Sequence, residues 1–189
     1  MKKVLICLML LVLVGCGSTD NENLVEYNSE TVKSLAVADM SGYKFYESEF
    51  DGYFREGSFA LANSLLADDE TYVLYFGFTG CPFCQDAIPV ISASAKKYGV
   101  PVIYTDPYNN ASIEAYELFV ENYAEVLELV EGERKLYTPL LVFVKNGEIV
   151  YHHLGTVEGH NPSQASLNDE QMELLSGYFS EGFNKLLSE

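Results

Sequence analysis

The chain has 189 residues, 48% of them hydrophobic and 21% charged, with 11 Lys+Arg against 28 Asp+Glu and a formal charge of −17. That length holds one domain plus a short extension. So large an acidic excess, with no basic cluster beyond Lys2 and Lys3, excludes nucleic-acid binding, and an aromatic content of 13% excludes a disordered chain.

Met1-Lys2-Lys3 followed by the uncharged run Val4 to Val14 has the basic start and short apolar stretch of a secretory signal. As a helix that run would rise only about 16 Å against about 30 Å of hydrocarbon, too little for a permanent span. Leu13-Val14-Gly15-Cys16 resembles the lipobox of bacterial lipoproteins. The resemblance implies removal of residues 1–15 and lipidation of Cys16. The mature chain would then sit on the cell membrane, facing the extracytoplasmic side. Gly17 to Asn23 is small and polar, so residues 16–35 are expected to form the lipidated start and a flexible tether, and residues 36–189 the folded domain.

An aromatic-rich entry, Tyr43 to Phe54, precedes a helix over Phe59 to Leu66 and reads as core or edge packing. Tyr72 to Phe78 is apolar without polar alternation, the pattern of a strand buried on both faces. Thr79-Gly80 ends it, and a helix is expected from Cys84 to Tyr98 with Gly99 as its stop. With Cys7 lost in the signal and Cys16 committed to lipid, Cys81 and Cys84 are the remaining thiols. A C-x-x-C pair closes almost no loop entropy, so it suits reaction better than stapling. At a strand-to-helix turn, unpaired N–H groups and the helix dipole favour a thiolate at Cys81, with a pKa depressed to roughly 3.5–7.5 from about 8.5. Cys81 is thus the expected nucleophile and Cys84 the resolving thiol.

Pro89 lies five residues after Cys84, and Thr138-Pro139 opens a segment running through Asn146-Gly147, a hairpin signal, to Val150. A capped amphipathic helix closes the chain from Asn168 through Leu175, Phe179, Phe183 and Leu186. Together with C-P-F-C, these features resemble thioredoxin-like proteins over most of residues 58–189. The resemblance implies a three-layer α/β/α sandwich around a central mixed sheet. It further implies a cis Thr138-Pro139 bond facing the cysteines, substrate contacts from Thr138, Pro139, Pro82 and Phe83, a redox-active Cys81–Cys84 disulfide with no cofactor, and protein thiols or disulfides as partners. A membrane-bound electron partner would go with the anchor.

The sequence departs from that family in three places. Tyr75 stands where many thioredoxins bury an acid, Gly80 replaces the usual tryptophan, and Pro82-Phe83 is closer to the glutaredoxin-like C-P-Y-C than to C-G-P-C. Pro139 also lies 33 positions after Asp106, a roomy link. Ile113, Tyr116, Val120, Tyr123, Leu127 and Val130 within it have helical spacing and predict an enlarged helix before the proline segment. A long acidic helix there, with the C-P-F-C and T-P segments, is similar to the bacteriocin-transport accessory branch of these proteins.

His152 and His153 are consecutive on a strand and point to opposite faces, and His160 is distant, so no metal site is expected. Thr156 to Ser166 reads as a surface loop. The reading that emerges is a thiol-disulfide oxidoreductase. The alternative is a non-catalytic thioredoxin-like interaction lipoprotein whose cysteines stay locked as a disulfide.

Overall fold

The computed structural model describes residues 24–109 and 112–189. The expected signal segment, residues 1–15, and the expected lipidation site, Cys16, lie outside the described residues. In chain order the elements are α1 (Glu30–Ser34), β1 (Phe54–Glu56), α2 (Phe59–Ala67), β2 (Tyr72–Phe76), α3 (Pro82–Tyr98), β3 (Val102–Thr105) and α4 (Ile113–Asn122). They continue with β4 (Glu128–Val130), β5 (Glu133–Lys135), β6 (Leu140–Lys145), β7 (Glu148–Leu154) and α5 (Asp169–Leu187).

Five strands form one mixed sheet in the order β1-β3-β2-β6-β7. β1, β3 and β2 run parallel; β6 pairs antiparallel with β2, and β7 with β6. Every residue of β2 is buried, as its unbroken apolar run requires of a central strand covered on both faces. Side chains alternate, so Tyr72, Leu74 and Phe76 share one face and Val73 and Tyr75 the other. Phe76 packs on Phe59 of α2 and Phe119 of α4. On the opposite face Phe143, register partner of Val73, meets Phe183 of α5, which also packs with α3. The result is the expected α/β/α sandwich around a central mixed sheet. Asn146 and Gly147 turn the β6–β7 hairpin at φ 50° and 75°, and Gly99 ends α3 at φ 67°.

Two segments differ from expectation. The helical stripe in the link breaks at Asn122, with Tyr123 as C-cap; Leu127 follows a 3-10 turn, and Val130 belongs to the small β4–β5 hairpin. The enlarged helix is therefore a ten-residue helix plus a hairpin, and its buried contact is Phe119, while Ile113 is exposed. Glu131-Gly132 supplies the hairpin turn with positive φ at both residues.

The tether expected through residue 35 is likewise structured from residue 24 onward. Tyr27 and Val32 are buried, Ser29 caps α1, and the Tyr27 hydroxyl donates to the Thr71 carbonyl at 2.9 Å. Leu24 bridges to Ser188, and Val25 N–H donates to the Leu187 carbonyl at 2.9 Å. The Lys145 ammonium also bonds the Ser188 carbonyl. Both ends of the described chain therefore meet beside the start of β2 and the β6–β7 turn.

Candidate functional site

The chain leaves β2 through Gly77 to Gly80 and re-enters helix at Cys81. Gly77 has no room for a side chain, since a Cβ there would collide with the Tyr75 phenol. Cys81 N–H closes a turn onto the Phe78 carbonyl at 3.0 Å. Cys81 is the N-cap of α3, with extended backbone at φ −86° and ψ 113°, and Pro82 follows in the first turn, where its missing N–H costs nothing. The Cys81 sulfur accepts the Cys84 N–H at 3.1 Å. That bond occupies the position a capping serine or aspartate oxygen would fill, so an anionic sulfur there meets both a donor and the positive end of the helix.

Cys81 and Cys84 are joined as a disulfide, Cα atoms 5.2 Å apart. Cys81 keeps 5% of its surface and Cys84 none, so an incoming group reaches Cys81 first. Across from them the Thr138-Pro139 bond is cis and Pro139 is buried. The Thr138 hydroxyl donates toward the Cys81 sulfur at 3.6 Å, and the Thr138 carbonyl oxygen lies 3.8 Å from it. Sequence positions 57 residues apart thus converge on one sulfur. Pro82 and Phe83 are exposed beside it, Phe83 by 38%. Tyr108, Ile113 and Tyr137 are also exposed, Tyr108 edge-on to Phe78 with ring centroids 4.8 Å apart.

Tyr75 is buried, with its hydroxyl 3.4 Å from that of Tyr43, which in turn lies 3.4 Å from that of Tyr104. Burial pushes the Tyr75 and Tyr43 phenols far above their ordinary range, so neither exchanges a proton readily at neutral pH. His152 is exposed; His153 is half-buried and bonds the Thr156 carbonyl at 2.8 Å. Among the described residues no group of three or more His, Cys, Asp or Glu is placed to hold a metal ion, and no helix is long and apolar enough to cross a membrane.

The Thr156 to Ser166 segment is not merely a surface loop. His160 is 9% exposed, its Nε2 lies 3.0 Å from a carboxylate oxygen of buried Asp86, and its Nδ1 is 2.7 Å from the Thr156 hydroxyl. Its ring stands edge-on to Phe83 at 5.6 Å. Sequence reasoning missed this pair. The available signal was one carboxylate, Asp86, at a helical position flanked by Ala87 and Ile88, both fully buried.

No protein-family model matches the chain, and no curated protein does. Among solved structures it is similar to thioredoxin from Aeropyrum pernix, at 26% identity over 50% of this chain and 68% of that one, with a TM-score of 0.37. It is also similar to oxidised thioredoxin O2 from Arabidopsis thaliana, at 21% identity over 59% and 87% of the two chains and a TM-score of 0.38. A mutant thioredoxin from Halobacterium salinarum NRC-1 matches at 17% identity over 67% and 88%, with a TM-score of 0.35.

Proposed function

We propose that the protein is a thiol-disulfide oxidoreductase, lipid-anchored through Cys16 and acting on the extracytoplasmic side of the cell membrane. The observation that carries the reading is the Cys81 sulfur at the N-cap of α3, accepting the Cys84 N–H at 3.1 Å and facing Thr138 and cis Pro139. Reduced Cys81, as a thiolate, attacks one sulfur of a substrate disulfide; a mixed disulfide forms and the other substrate sulfur leaves as a thiolate. The Cys84 thiolate then attacks Cys81, releasing the second substrate thiol and re-forming the Cys81–Cys84 disulfide. A dithiol partner, membrane-bound in this reading, returns two electrons; run in reverse, the same steps oxidise a substrate dithiol. The residues supply all of this chemistry without a cofactor. Thr138 and Pro139 position an extended substrate, with Pro82 and Phe83 forming the opposite lip.

The finer assignment to the bacteriocin-transport accessory branch rests on the C-P-F-C and T-P motifs, since the link contributes only a ten-residue helix.

Cys84→Ser in cells tests the reading. It should accumulate mixed disulfides through Cys81, which Cys81→Ser abolishes. Capture at background level would instead indicate the non-catalytic interaction protein. A reduction potential near about −270 mV would mark a reductant, and one near about −120 mV an oxidant.

A further inference from the structure

One segment touches both walls of the site. Gly155 N–H donates to the Pro139 carbonyl at 2.8 Å, and five residues later His160 bonds Asp86 of α3 and stands edge-on to Phe83, inside the C-P-F-C motif. Thr156, between them, bonds the His160 ring through its hydroxyl and the His153 ring through its carbonyl. Because a carboxylate only accepts, His160 Nε2–H donates to Asp86, and in the neutral ring Nδ1 accepts the Thr156 O–H. The two side chains are 1% and 5% exposed. Apolar residues would pack such a site at lower cost, so a buried ionic or polar pair is poorly explained by stability alone.

Asp86 sits only two residues past Cys84, in the part of α3 whose dipole favours an anion at Cys81. Its carboxylate opposes that anion, and the His160 N–H draws the carboxylate's charge away. Resting on the thiol-disulfide reading, the geometry points to Asp86 and His160 as a positioning pair: it fixes Phe83 and the Gly155 to His160 segment against Pro139 and sets how strongly Cys81 is held as a thiolate. Lys44 and Glu47, of opposite sign, line the groove beside Asp86 and are left in place as the pair is varied.

The test compares Asp86→Asn, His160→Ala and His160→Gln in the full chain, fully reduced. It measures Cys81 alkylation by iodoacetamide at a pH on the acid side of the parent's own thiolate titration, the equilibrium with a glutathione redox buffer, and the thermal midpoint. His160→Ala should slow alkylation about threefold or more, Asp86→Asn should speed it by a similar factor, and His160→Gln, which can still donate, should recover most of the loss. The opposite signs are the signature, because a purely structural pair would move both variants the same way. Alkylation and glutathione equilibria within about twofold of the parent, with only the midpoint lowered, would overturn the proposal, as would same-direction shifts. If His160→Ala does not fold, the isosteric Asp86→Asn decides alone: alkylation no faster than in the parent overturns the proposal. A parent Cys81 no faster than free cysteine would instead sink the thiol-disulfide reading, before any variant is compared.

Discussion

The N–H of Gly155 donates to the carbonyl of Pro139 at 2.8 Å, so the last residue of the β7 exit pins the cis-proline that faces the disulfide. Gly155 holds φ at +82°, where a side chain is strained even though space is open around it. Gly155→Ala should therefore cost about 1 kcal/mol in stability and raise KM for a protein disulfide more than it lowers kcat. Denaturant titration and steady-state insulin reduction check the two effects separately.

The Thr138 hydroxyl and the Cys84 N–H both donate to the Cys81 sulfur. Thr138→Val keeps the shape and removes one donor, so the thiolate should lose support. We expect alkylation of reduced Cys81, measured on the acid side of its thiolate titration, to fall by about threefold, with the thermal midpoint nearly unchanged.

Burial holds the His153 imidazole below its ordinary value of 6.5, His152 reinforces this, and the bond to the Thr156 carbonyl partly offsets it. The unfolded chain therefore binds this proton first as pH drops. Its contribution is present in full above about 6.5 and is lost as pH falls from there through the lower folded value. His153→Asn should flatten the stability-versus-pH slope between pH 7 and 5 by up to about one proton. Urea midpoints at several pH values for parent and variant measure this; identical slopes would show that His153 does not contribute.

Tyr123 donates to the Ala62 carbonyl at 2.9 Å, which leaves the Tyr72 hydroxyl as donor in the buried 2.6 Å Tyr72–Tyr123 bond. Tyr123→Phe strands the buried Tyr72 O–H donor and takes a donor from the Ala62 carbonyl, whereas Tyr72→Phe leaves Tyr123 with its donor bond intact. The first should cost about 2 kcal/mol and the second about 1 kcal/mol, read from chemical denaturation. Equal costs would mean that the direction of the bond is wrong.

The elements around the disulfide were legible because each carries a local signal: the two-sided burial of Tyr72 to Phe76, Gly99 at a left-handed stop, Asn146-Gly147 at the hairpin and the Asn168–Gln171 capping box. What failed was non-local. Leu127 and Val130 continue a helical spacing, yet Tyr123 leaves the helix to bond Ala62 and Tyr72, and the chain turns out with it. Tyr27 and Val32 look isolated in a polar stretch and acquire meaning only through Thr71 and the core. His160 reads as a loop residue until Asp86, 74 positions away, is placed beneath it.

The two ends of the described chain meet at the start of β2, while the cysteines cap its far end. Were Cys16 to carry lipid, as proposed, the eight-residue stretch to Leu24 would span at most about 28 Å and would join the domain at the end of β2 opposite the disulfide, leaving the disulfide on the side away from the attachment. Oriented this way it would serve clients arriving from the surroundings more readily than ones embedded in the bilayer. Any lipid-resident electron donor would then need a soluble arm long enough to climb the height of the sheet.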